Sequence, residues 1–368
     1  MTKPDEYRRR TDLNETSVMC FQDVLQGYFQ EQEQEQNKPG QEEEENDDDD
    51  DGNPNKRLEE QGDVSSVFFE LANAPLVSYR FQDIRGQKRS ITIQQDFQNA
   101  GGQHTGGIVW ETAYLLLNYL LTSQDGSPPS ASSKTNNSSK LFKTLELGAG
   151  CGMVGQVLYA AGLAKPMIVT EAQPVMANLL HNLRRNQEML LDDRMGKNTS
   201  CDNHHHNHHH HHHQQQPTGS NLSSTTSSSS PSTRNNDLLF QAHTLDWTNY
   251  KHDCTKANIE PHSIDTILGT DVVFSPTHVE PLLQTITYLA HSKTTIYLFV
   301  QKRCPDAYRI LWKKATDVYG LEIKDISSMV TSIPTCRWGQ DLDCRALKLT
   351  RKPNANHPTT TTTKKRKR

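Results

Sequence analysis

The stretch Leu145-Glu146-Leu147-Gly148-Ala149-Gly150-Cys151-Gly152-Met153-Val154-Gly155 decides the fold of this 368-residue chain. An apolar run from Thr144 to Leu147 enters glycines at 148, 150 and 152, then leaves them as a helical pattern over Met153–Ala161 closed by Gly162. Glycine lets a backbone approach a ligand closely and take positive φ. The helix that follows offers unpaired N–H groups and partial positive charge at its N-terminus.

Outward from the loop, Met167–Val169 reads as a second strand ending at Glu171, 23 residues after Gly148. A carboxylate there can accept both ribose hydroxyls of a nucleoside. Pro174 opens a helix through Asn186, with Met176, Leu179, Leu180 and Leu183 on one face. Strands follow at Leu238–Leu245, Ile264–Leu268, Thr295–Val300, Leu321–Ile326 and Cys344–Thr350. Helices are predicted around Val279–Ala290 and from Pro305 to a stop at Gly320, with none between the last two strands. This alternation predicts an α/β fold, a Rossmann-like seven-stranded and mostly parallel sheet with helices on both faces. Ahead of it, Val77–Phe81 and Ser90–Gln94 flank Arg85-Gly86 as a hairpin, and Trp110–Leu121 reads as a helix. Val18–Phe29 carries Val18, Phe21, Leu25 and Phe29 at helical spacing, a segment expected to dock on its own core.

Two ligand classes suit the loop. Gly150-Cys-Gly152-Met-Val-Gly155 matches the dinucleotide GxGxxG, with Glu171 at the distance an NAD site wants. Glu146, two residues before Gly148, argues the other way. A carboxylate there opposes a pyrophosphate but suits a ligand with a cationic amino group. S-adenosylmethionine has that group and no phosphate, so charge complementarity favours it.

The rest of the chain is uneven in charge. Residues 1–63 carry 7 basic and 20 acidic side chains, residues 351–368 carry 7 basic and no acidic ones, and the body 64–350 is nearly neutral with 25 against 24. Only 33% of residues are hydrophobic, which points to solvated segments added to an ordinary core. Gln30–Asp51, with nine carboxylates in Glu42–Asp51, reads as coil. The inserts 123–140 and 192–236 read as linkers. The second holds a His tract, His204–His213, whose imidazoles lack the fixed geometry a metal site needs. We therefore expect one catalytic domain over 64–350, a disordered acidic head and a disordered basic tail. No apolar window reaches the roughly 20 residues of a membrane helix. Met1–Arg10 has no apolar h-region, and seven cysteines without a CxxC pair fit a reduced, intracellular thiol set.

Four motifs in order now carry a resemblance. Glu146–Gly152 resembles motif I of the class I, seven-β-strand, S-adenosylmethionine-dependent methyltransferases, and Glu171 resembles their acidic residue after strand two. Gly106-Gly107-Ile108-Val109-Trp110-Glu111-Thr112-Ala113 is similar to a segment of methyltransferase family 16, the protein-lysine methyltransferase group. Leu245-Asp246-Trp247 is similar to that group's motif after strand three. Gly269-Thr270-Asp271-Val272-Val273-Phe274 resembles its motif after strand four.

The resemblance implies S-adenosyl-L-methionine as cofactor, held by Trp110, Glu146, Gly148, Gly150, Gly152, Glu171, Asp246, Trp247 and Thr270. It implies in-line methyl transfer to a lysine of an intracellular non-histone protein. Asp271 would orient the acceptor ammonium, and Phe274, where many members carry Tyr, would offer an aromatic face to it. Asp246 also reads as a turn residue. Cys151 is small filler, and Arg303 and Arg337 receive no role. The expected partner is a protein substrate, with no membrane, no specific nucleic acid and a monomeric state. The cytoplasm is the expected location, with the nucleus added if the pentamer Lys364–Arg368 acts as an address. An arginine or histidine acceptor, an NAD-dependent oxidoreductase and a non-catalytic adaptor remain as alternatives.

Overall fold

The computed structural model describes residues 18–36, 64–96, 105–122, 142–191 and 239–352. The His tract, both inserts, the acidic run and the basic pentamer lie outside the described residues.

The chain enters as a short strand β1 (Val18–Cys20) and helix α1 (Phe21–Gln36), then α2 (Val64–Asn73) and the hairpin β2 (Leu76–Gln82) and β3 (Lys88–Gln94). β1 pairs parallel to β2, and β2 antiparallel to β3. α1 docks on its own core, as its apolar spacing predicts. Phe21 is 1% exposed, and its ring stacks on Tyr114 at 4.3 Å between centroids. The helix runs through Gln30–Gln36, where coil was expected. Gln and Glu are good helix formers and need no buried face to continue a docked helix.

The main sheet begins after α3 (Glu111–Thr122). Its strands are β4 (Phe142–Leu147), β5 (Ala164–Glu171), β6 (Phe240–Thr244), β7 (Ile264–Thr270), β8 (Ala290–Gln301), β9 (Leu321–Asp325) and β10 (Cys344–Arg351). They lie in the order β6-β5-β4-β7-β8-β10-β9. β10 runs antiparallel to both β8 and β9, and the other neighbouring pairs of this sheet are parallel. Helices α4 (Met153–Ala160), α5 (Met176–Arg185), α6 (Gln187–Leu191), α7 (Tyr250–Lys256), α8 (Pro276–Leu289) and α9 (Pro305–Asp317) connect the parallel strands. This is the seven-stranded, Rossmann-like architecture the sequence predicts. The last two strands are joined by more than a loop, through α10 (Ser327–Thr331) and a 3-10 turn at Pro334–Gly339. These pieces are too short to register as periodic patterns. Trp338, in that turn, is 1% exposed and packs on Phe68.

Two apolar clusters cover the two faces of the sheet. The hairpin is tied to the domain by Asn182 of α5 and by Asn186, which caps its C-terminus. Asn182 accepts the Gln94 N–H at 2.8 Å and donates to its carbonyl at 3.0 Å, and Asn186 treats Thr92 the same way. Two side-chain amides thus satisfy the open edge of β3 as a neighbouring strand would.

Candidate active site

Chain order reverses at β4, since β5 lies on one side of it and β7 on the other. In open α/β sheets a crevice forms at such a point, beyond the carboxyl ends of the strands. Here a cleft of about 690 Å³ lies there. Its walls come from the residues after β4 (Gly148–Val154), β5 (Glu171–Val175), β6 (Leu245–Thr248) and β7 (Thr270–Phe274), with Thr105–Trp110 and His278 closing it. Ten of the eleven predicted site residues line this cleft: Trp110, Glu146, Gly148, Gly150, Glu171, Asp246, Trp247, Thr270, Asp271 and Phe274; Gly152 does not, although its neighbours Cys151 and Met153 do.

The loop takes the shape that only glycine accepts cheaply. Gly148, Gly150 and Gly152 have φ of 63°, 53° and 80°. A Cβ on Gly150 would also stand 3.3 Å from the Gly106 carbonyl. Glu171 ends β5 and accepts the Gly150 N–H at 2.6 Å and the Ala172 N–H at 2.7 Å. Glu146 is 1% exposed and accepts the Gly155 N–H of α4 at 2.9 Å. Burial pushes its carboxyl up to about 8. Trp247 lies against Gly148, its ring 3.4 Å from where a Cβ would be.

These bonds separate the two ligand classes. The N–H groups of Gly150, Gly152 and Gly155 end on Glu171, the Ala149 carbonyl and Glu146. They are committed to the chain's own acceptors rather than open to a pyrophosphate. Among the described residues lining the cleft there is no lysine or arginine. An acidic and apolar lining fits a cationic, phosphate-free adenosyl ligand.

Asp246 takes its alternative role as well. It caps the 3-10 turn Trp247–Asn249, with Oδ1 accepting the Thr248 N–H at 2.8 Å and its hydroxyl at 2.7 Å. Cys151 is buried, burial pushes its thiol up, and Asn178 donates to its sulfur at 3.5 Å, consistent with filler.

Asp271 sits at the end of β7 with φ 53°, a left-handed conformation uncommon outside glycine. Its Oδ1 accepts the Gln301 N–H at 2.8 Å, and its buried Oδ2 makes no hydrogen bond among the described residues but lies 3.4 Å from the Arg303 guanidinium. Burial raises this carboxyl to about 6, against the pull of Arg303. Phe274 is 43% exposed at the same end of the cleft, its ring 5.1 Å from that of His278.

Arg303, given no role from sequence, belongs to this region. Its Nη2 pairs with Glu111 at 2.5 Å, its Nη1 with Asp271 at 3.4 Å, and its guanidinium lies 4.2 Å over the Trp110 ring. An isolated Arg after a strand gives no signal of such partners, which are distant in sequence.

A family model described as lysine methyltransferase matches residues 87–200 and 232–316, just over half of the chain. No curated protein matches it. Among solved structures, a predicted O-methyltransferase of Agrobacterium tumefaciens is 13% identical, covering 60% of this chain and 79% of that one at a TM-score of 0.34. A TehB-like SAM-dependent methyltransferase of Corynebacterium glutamicum is 12% identical, covering 70% and 94% at 0.34. P. horikoshii TYW2, solved in complex with MeSAdo, is 12% identical, covering 78% and 83% at 0.35.

Proposed function

The chain belongs to the lysine methyltransferase family and is a class I, S-adenosylmethionine-dependent methyltransferase; from that premise we propose that its acceptor is the side-chain amine of a lysine in a protein substrate. The observation that supports this acceptor is the pairing of an acid with an aromatic face at one end of the cleft, Asp271 and Phe274. Both groups attract a cation.

When bound, S-adenosylmethionine supplies an activated methyl. That methyl would pass to the acceptor nitrogen, with the sulfonium sulfur as leaving group. Trp110, Gly148, Glu171 and Trp247 are the residues we assign to holding the adenosyl part, and Glu146 to the amino group. A protonated amino group near Glu146 would compensate a buried carboxyl that burial otherwise keeps neutral. Catalysis by the protein then rests on position more than on acid–base work. A lysine has a pKa of about 10.4 and must shed a proton before attack. Asp271 draws the ammonium into the cleft and orients it, Phe274 covers it, and water takes the proton.

Mass spectrometry of cell-extract proteins labelled by the full chain with isotopic donor tests this reading. Methylated lysine is the expected product. Label found only on arginine, histidine or oxygen would overturn it.

A further inference from the structure

We propose that Arg303 is a positioning residue that sets the charge at the acceptor end of the cleft, cancelling one of two carboxylates so that an incoming ammonium meets one net negative charge rather than two. The inference rests on the reading of Asp271 as the group that orients a cationic acceptor.

Glu111 opens α3 and Asp271 ends β7, and both reach Arg303, which follows β8, at 2.5 and 3.4 Å. The two carboxylate side chains are 16% and 8% exposed, so solvent screens them weakly. Arg303 is not among the residues lining the cleft. It stands beside Trp110, with its guanidinium carbon 4.2 Å from the centre of the indole ring. Among the described residues, further titratable groups around this cluster are Tyr114 on α3, which Glu111 acts on, Cys344 on β10, with Asp343 and its ion-pair partner Arg345 next to it, and His278 on α8 at the cleft. Burial and the nearby carboxylates push the Cys344 thiol up, so it adds no negative charge.

The consequence is chemical. Two uncompensated carboxylates would bind a lysine ammonium well, but they would also raise its pKa and starve the reaction of free amine. With Arg303 in place the set Glu111, Asp271 and Arg303 carries one net negative charge. That charge is enough to select a cation and lets the proton leave more easily. Arginine suits the task because it stays protonated at any working pH, forks to two carboxylates and stacks on an aromatic ring.

The test follows activity against pH from 6.5 to 9.5, with the full chain, tritiated S-adenosylmethionine and one cell extract. S-adenosylhomocysteine titration of each variant reports that the cofactor site is intact. Arg303→Met should move the rise of activity up by about one pH unit, which is about a tenfold loss near neutrality recovered at high pH. Glu111→Gln alone should move it down, the opposite sign. The double variant Glu111→Gln/Arg303→Met should return toward the wild-type profile, and Arg303→Lys should fall between wild type and Arg303→Met. A loss of equal proportion at every pH, or no return in the double variant, would overturn the inference and leave the acceptor reading standing. Should Arg303→Met fail to bind S-adenosylhomocysteine, Glu111→Gln decides alone, since a shift upward or no shift contradicts the proposal. If the wild-type product carries no methyllysine, both readings fall together, and that product is identified first.

Discussion

The Glu171 carboxylate accepts the backbone N–H of Gly150 at 2.6 Å, so the acid that ends β5 is bonded to the middle of the loop that follows β4. One residue therefore serves both to shape the loop and to present acid at the rim of the cleft. Charge-assisted hydrogen bonds of this kind are worth about 1.5–3 kcal/mol. We expect Glu171→Ala to weaken S-adenosylhomocysteine binding at least tenfold by calorimetry. Gly150→Ala should do likewise, since it strains a residue at φ 53° and crowds the Gly106 carbonyl. Undiminished affinity in both variants would remove the loop from the cofactor site.

Glu146 gives a pH dependence to the stability of the free protein. Its carboxyl is pushed by burial from 4.5 to about 8, so the folded state holds the proton more tightly than the unfolded one. The associated stability is fully present below about pH 4.5 and is lost as pH rises through 8. Asp271 shifts over a lower window, ending near 6, so the range 6.5–8.5 isolates Glu146. Thermal unfolding should show Tm falling by a few degrees across that range, and Glu146→Gln should flatten the dependence while weakening cofactor binding.

Asp271 can be stripped of charge without stripping it of shape. Asparagine tolerates the left-handed conformation that Asp271 adopts, whereas alanine pays about 1–2 kcal/mol for it. Asp271→Asn should therefore keep Tm and S-adenosylhomocysteine affinity near wild type while methyl transfer drops about a hundredfold. Asp271→Ala should lose activity and also stability. An Asn variant as active as wild type would show that the charge orients nothing.

Phe21 anchors α1 by stacking on Tyr114 in the core. Truncating such a buried ring costs about 3–5 kcal/mol. Phe21→Ala should show that loss in denaturant unfolding. A negligible change would mean that α1 is free to serve a partner instead.

What could be read in the chain was local. The glycines at 148, 150 and 152, the acid after the second strand and the Asp271-to-Phe274 run sit within short windows where spacing implies geometry. Asp246 admits two readings on sequence, and its side chain caps a turn while its position lines the cleft. The helix through Gln36 and the α10 connection escaped because composition argues for solvation, and five residues show no period.

Arg303 escaped for a different reason. It pairs with Glu111 across 192 residues of chain, and no window holds both. The amino-acid sequence by itself determined the seven strands of the main sheet in their chain order, the loop at the first crossover and the class of ligand that its charge admits, while α2 and α7 went unread. Tertiary structure alone decided which acids share one cation. Sheet order sets β7 beside β8 and brings α3 against that end, and Coulomb energy depends on distance in space, to which separation along the chain is no guide.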